Sequence, residues 1–178
     1  MRIVLVDSSR TVLHIVSDLI KQGGHDVKPF TDGRQALQYF MADPEVRTLI
    51  TSTTPHSLSG VELCSEARAF AGRRRPVYII LMSSSDEHKN VVSALDNGAD
   101  DFMHKPPIPE ELRARLRAAD RMTSMQTELV RHATTDSLTG LLTRRAFFER
   151  AGDLCAKADT DKAAILFDID HFKKVNDV

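Results

Sequence analysis

Tryptophan is absent from this 178-residue chain, and tyrosine and cysteine occur only twice each. Cys64 and Cys155 lie in different halves, without metal-ligand spacing. That excludes a disulfide framework and a cysteine-based zinc site, and it points to packed free thiols in a reducing compartment. No apolar run approaches the ~20 residues that cross a bilayer. The N-terminus enters a strand-like run at once, with no apolar signal region. Charge of one sign is lacking too: 24 Lys and Arg face 25 Asp and Glu, for a net charge of −1. No global field favours nucleic acid or an acidic membrane as a partner. Arg73-Arg74-Arg75 follows an expected helix end, where cations oppose the helix dipole. The seven histidines include no pair at ligand spacing. These absences predict a cytoplasmic protein.

Apolar content is 42 %, enough for a core, and it comes in short runs. Strands are predicted over residues 2–6, 27–30, 47–52, 77–82 and 100–103. Helical spacing marks 8–22, 33–41, 61–71 and 86–97, with Gly23-Gly24 as a stop and Asp32 as an N-cap. Strict alternation of strand and helix implies parallel strands joined by right-handed crossovers. Such sheets carry their sites at the carboxyl ends of the strands. The candidates there are Asp7 and Ser8, Ser52 to Thr54, Ser83, and Lys105.

The fifth helical pattern starts at Pro109, a first-turn proline, and neither Gly nor Pro occurs from Glu110 to Leu138. Leu112, Leu116, Ala119, Met122, Met125, Leu129 and Ala133 follow at spacings of 4, 3, 3, 3, 4 and 4. A helix of ~25 residues would span ~37 Å. Its first half packs on the sheet. Its second half would leave Met122, Met125 and Leu129 exposed in a monomer, which predicts helix pairing and a homodimer. A second module then begins with a turn at Thr135–Arg145, a helix over 145–156 and a strand over 163–168. Strand alternation would send Asp168 and Asp170 to one side, ~6–7 Å apart. Carboxylates there either hold Mg²⁺ against substrate phosphates or form a solvated turn, and spacing alone leaves both open.

The first ~118 residues resemble the receiver domain of bacterial response regulators. The match lies in Ile3-Val-Leu-Val-Asp7, the loop from Ser52 to Gly60, Leu81-Met-Ser83 and Gly98-Ala-Asp-Asp-Phe102-Met-His-Lys105-Pro106. Residues 135–178 resemble the start of a GGDEF domain, the diguanylate cyclase module. Asp136-Ser-Leu-Thr-Gly-Leu141 and Phe167-Asp-Ile-Asp-His-Phe-Lys-Lys-Val-Asn-Asp177 carry that match. The resemblance implies a flavodoxin-like five-stranded parallel sheet over 1–118, a helical stalk over 119–134 and a truncated cyclase start over 135–178. By the same resemblance, Asp168 and the Ile169 carbonyl would hold Mg²⁺ and Asn176 would read the guanine of GTP in a complete parent. The signature that gives the domain its name would lie beyond Val178, so this chain is expected to be inactive alone.

Receivers use two adjacent acids, a phosphoacceptor Asp, a Ser or Thr, and a Lys after successive strands. Here the acid pair is Asp7-Ser8. The acceptor position falls on Ser52 counted from Gly60, or on Thr51 counted from Pro55. No Asp or Glu lies between Glu45 and Glu62. Ser83 and Lys105 are kept, and Phe102 holds the switch-aromatic position. A lone carboxylate is a poor Mg²⁺ site, and a serine needs a base to activate it. The expectation is a degenerate receiver without a cofactor, with Lys105 paired to Asp7, regulating a cyclase by dimerisation. Two rivals are a pure interaction module and a Ser52 phosphorylated by a Ser/Thr kinase.

Overall fold

The computed structural model describes residues 1–72, 75–84, 92, 95–156, 163–168 and 170–171. They fall into two compact units, Met1–Arg131 and His132–Val178.

The first unit runs β1 (Arg2–Val6), α1 (Arg10–Gln22), β2 (Asp26–Phe30), α2 (Gly33–Ala42), β3 (Val46–Ser52), α3 (Gly60–Ala71), β4 (Tyr78–Ser83), β5 (Asp101–His104) and α4 (Pro109–Thr134). The helix expected over 86–97 lies largely outside the described residues; Val92, Leu95 and Asp96 are helical. The sheet is parallel in the order β2-β1-β3-β4-β5. Alternate side chains feed two cores. Val4, Val6, Leu49, Ile79, Leu81 and Phe102 meet α2 and α3. Ile3, Leu5, Ile50, Ile80, Met82 and Met103 meet α1 and the first half of α4. A sheet covered on both faces explains why its strands read as unbroken apolar runs. Each fully buried Leu, Ile or Phe contributes roughly 1.5–3 kcal/mol.

The helix starts are set by side-chain caps. Ser9, not Ser8, caps α1 by accepting from the Val12 N–H at 3.4 Å, so the helix begins two residues later than its periodicity suggests. Asp32 caps α2 as expected, accepting from the Gln35 N–H at 2.9 Å. Ser59 and Glu62 form a reciprocal capping box on α3. Gly60 opens that helix against the end of β3: a Cβ there would sit 1.9 Å from the Ser52 carbonyl oxygen. No side chain fits, which fixes how closely α3 approaches the sheet's rim.

β2 is an edge strand. The Asp26 N–H donates to the Met1 carbonyl and the Phe30 carbonyl accepts from the Asp7 N–H, so even-numbered residues face β1. Pro29 therefore faces outward, where it offers no N–H.

The long helix is continuous over 26 residues, about 39 Å at 1.5 Å per residue. Leu112, Leu116, Ala119 and Thr123 are buried. Met122, Met125 and Leu129 are 48 %, 60 % and 68 % exposed. The buried stripe thus steps from Ala119 to Thr123, because a 3.6-residue turn carries Met122 off the inward face.

In the second unit, the Asp136 carboxylate accepts from the Leu138 and Thr139 N–H groups at 3.1 and 2.9 Å and from the Thr139 hydroxyl at 2.9 Å. Gly140 takes φ 71°, closing the turn with its N–H on the Asp136 carbonyl. Thr143 then caps α5 (Arg144–Cys155). The strand expected over 163–168 is not formed. Those residues are exposed, Leu166 at 97 %, and no described residue pairs with them. A strand is held by its ladder partner, and apolar character alone does not supply one.

Candidate functional site at the receiver rim

The carboxyl ends of β1, β3, β4 and β5 bring together the expected residues of the first unit. Asp7 follows β1 and is 1 % exposed. One of its oxygens accepts from the Ser9 N–H at 2.8 Å, and the other accepts from the Lys105 ammonium at 2.8 Å. The pair expected from sequence is therefore formed, but it is deeper than expected: the Lys105 side chain is only 16 % exposed. The reason is the framing of Lys105 itself. Its backbone N–H donates to the Ser83 carbonyl at 2.9 Å, which extends the β4–β5 ladder and turns the side chain back over the sheet.

Ser52 ends β3, and its hydroxyl is buried with no hydrogen-bond partner among the described residues. Strand alternation puts Ser52 on the side of Ile50, which is also the side of Leu5 and Asp7 and of Met103 and Lys105. Thr51 belongs to the opposite parity, and its hydroxyl donates to the Ser52 carbonyl at 3.1 Å. Of the two residues that loop counting leaves open, Ser52 faces the Asp7–Lys105 side. Ser83 is buried at the end of β4. Ser8 is exposed. Phe102 is 9 % exposed, packed into the core with its ring edge-on to His104 at 5.3 Å.

A second layer has no signature in the side-chain pattern, because it is made of backbone. The loop from β3 to α3 is joined to the start of α2. The His56 N–H donates to the Thr31 carbonyl at 3.2 Å, and the Gly33 N–H donates to the His56 carbonyl at 2.9 Å. Ser57 sits at φ 67°. The Gln35 N–H, then the Ser57 hydroxyl, hold the Asp32 carboxyl below its ordinary range. Only the N-cap at Asp32 is visible in the sequence.

Among the described residues at the strand ends, the rim therefore holds the Asp7 carboxylate, with both oxygens engaged, the Lys105 ammonium, and the buried hydroxyls of Ser52 and Ser83. Among the described residues, the Ser52 hydroxyl has no hydrogen-bond partner that could serve as its base. Burial pushes the Cys64 thiol up to about 12, so it is not a nucleophile.

The cyclase-type residues are not assembled in the same way. Asp168 is exposed, and Asp170 and His171 lie in a turn. Ile169 and Asn176 fall outside the described residues. Among the described residues no three His, Cys, Asp or Glu side chains form a metal-holding group. The donors among the described residues do not make a Mg²⁺ site. Among the described residues no helix is long and apolar enough to cross a membrane.

Comparison with known proteins fits this division. The family model for the response regulator receiver domain matches residues 3–117, and that for the diguanylate cyclase GGDEF domain matches residues 133–178. The response regulator MprA of Mycolicibacterium vanbaalenii is 34 % identical over 69 % of this chain and 52 % of its own. The response regulator PleD of Caulobacter vibrioides is 27 % identical over 99 % of this chain and 40 % of its own. The chain spans about half the length of the curated relatives it matches. A crystal structure of a two-component response regulator/GGDEF domain protein superposes with a TM-score of 0.65 at 25 % identity, covering 70 % of this chain and 50 % of that one. A BeF3-activated DrrB receiver domain gives 0.59 at 26 %, covering 67 % and 97 %. The chain belongs to the response regulator receiver family, and its receiver is followed by a GGDEF segment.

Proposed function

We propose that this chain is the regulatory part of a cytoplasmic diguanylate cyclase, converting GTP to cyclic di-GMP, whose receiver acts by assembly and not by aspartyl phosphorylation. The observation that carries this is Ser52. It occupies the end of β3 on the side of the Asp7–Lys105 pair, its hydroxyl has no hydrogen-bond partner among the described residues, and no carboxylate lies between Glu45 and Glu62. Phosphoryl transfer to a receiver needs an acceptor carboxylate and Mg²⁺ to neutralise the incoming charge. Here the Asp7 carboxylate, the one at this rim among the described residues, is neutralised by Lys105. The GGDEF match and the PleD similarity support the cyclase output. A cyclic dinucleotide needs two GTP molecules face to face, so two catalytic domains must meet. The exposed Met122, Met125 and Leu129 support a paired α4 as the means. In the complete protein, Asp168 and the Ile169 carbonyl would hold Mg²⁺ and Asn176 would bind guanine.

The test is acetyl phosphate, or beryllofluoride, with Mg²⁺. Intact-mass spectra are expected to show no adduct, and beryllofluoride is expected to leave the amide spectrum unchanged. A hydroxylamine-labile phosphate adduct would overturn the reading. A phosphate on Ser52 after incubation with a Ser/Thr kinase would favour the kinase-driven alternative. A pure interaction module is the second reading; it is favoured if the residues following Val178 in the full protein lack an intact Gly-Gly-Asp/Glu-Glu-Phe.

A further inference from the structure

The inward stripe of α4 changes character halfway. Leu112, Leu116, Ala119, Thr123, Thr127 and Val130 follow at intervals of 4, 3, 4, 4 and 3, one continuous helical stripe. Leu112, Leu116 and Ala119 are buried in an apolar seam. Where the next two apolar residues would stand, the chain has threonines. Thr123 is 1 % exposed, and its hydroxyl donates back to the Ala119 carbonyl at 2.8 Å. The Thr127 hydroxyl donates to the Thr123 carbonyl at 2.7 Å. The Thr127 hydroxyl oxygen in turn accepts from the guanidinium of Arg47, the second residue of β3. Thr127 thus uses both its donor and its acceptor capacity, one within the helix and one across to the sheet.

The surroundings of this contact are open. A groove of about 460 Å³ lies on one flank, lined among others by Arg47, Asp120, Thr123 and Ser124. A second of about 290 Å³ lies on the other, lined among others by Arg75, Gln126, Leu129 and Val130. Between them, the line through Thr123 and Thr127 holds this part of the helix to the receiver. An apolar seam there would bury methylenes and cooperate with the core. One hydroxyl and one guanidinium make a narrow polar contact instead, and both partners can hydrogen-bond water when it opens.

We propose that Arg47 is a positioning residue that latches Thr127, so that the second half of α4 is held to the receiver's N-terminal edge by a detachable contact. Opening the latch releases the helix from about Asp120 onward while the Leu112–Ala119 seam stays packed. Release alters the orientation of Met122, Met125 and Leu129 relative to the receiver, which is how the receiver's state would reach the helix. That last step rests on the proposed function; the latch does not.

The test is amide hydrogen exchange on the full 178-residue chain, with no nucleotide present. It reads peptides covering 119–131 against peptides covering 109–118 and β3. In Arg47→Ala and in Thr127→Val, exchange over 119–131 is expected to rise about tenfold or more, with 109–118 and β3 unchanged. Thr127→Ser, which keeps the hydroxyl, is expected to restore protection. The Arg47→Ala/Thr127→Val double variant is expected to exchange no faster than either single one, because both remove one contact. Unchanged exchange in both single variants would overturn the proposal. So would additive effects in the double variant, or equal acceleration across α4 and the sheet. Because the readout needs neither GTP nor dimerisation, an inactive cyclase would leave it untouched.

Discussion

At the scale of single residues, the Asp7–Lys105 pair is the most consequential contact. Removing one member of a buried pair leaves an uncompensated charge, which costs about 3–5 kcal/mol. Lys105→Met is therefore expected to lower the urea midpoint strongly. Asp7→Asn with Lys105→Met should recover most of the loss, since no charge is then stranded. Equal destabilisation in both variants would show that packing dominates and not charge. This pair was legible in the sequence, because Asp7 and Lys105 follow strands that must end on one rim. Its depth was not: that depends on the Lys105 N–H bonding to Ser83, which no side chain announces. His25 offers a second residue-scale test. Burial, then the nearby N-terminal ammonium, lower its pKa, against a smaller opposing effect from Asp120. A histidine whose folded pKa is depressed binds fewer protons folded than unfolded below about 6.5. Its contribution is present above that pH and is lost as pH falls toward the folded value. Thermal midpoints should drop between pH 7 and 5, and His25→Gln should flatten that drop.

At the scale of elements, α4 and the segment 163–168 teach opposite lessons about what a sequence displays. The helix was legible because no Gly or Pro interrupts it and its period is sustained. Its outward stripe of Met122, Met125 and Leu129 was legible too, and these residues are exposed as expected. The inward face beyond Ala119 was not, because it continues through Thr123, a buried hydroxyl satisfied by its own helix, which no list of apolar residues displays. Segment 163–168 looks like a strand in isolation, but pairing is a property of two segments and only one is described. The exposed stripe on α4 leads to a direct test. Burying Met122, Met125 and Leu129 in a helix pair gains roughly 1.5–3 kcal/mol per side chain, against an association cost of at least ~4 kcal/mol. Replacing all three with Lys should raise the monomer fraction in sedimentation velocity. If the variant sediments as the parent does, any dimer is built elsewhere on the receiver.

At the scale of the molecule, the two units differ in how much of their apolar surface is covered. The first carries two cores, one on each face of its sheet. The second leaves Leu138, Phe148, Leu166 and Phe167 between 61 % and 97 % exposed. Local stability follows buried contacts. Limited proteolysis should therefore cut first within 163–168 and leave a resistant product containing residues 1–131. Cleavage in the receiver loops at the same rate would contradict that ordering. If α4 pairs as proposed, receivers are brought together at high local concentration. Here Pro29 acts at a distance from any site. Sheets grow by adding strands at an edge, and the free edge of β2 presents a ring where a donor is needed. A chain brought face to face with copies of itself can thus associate through side chains while its backbone refuses recruitment. At the β2 edge, one imino acid removes a donor that strand addition would use.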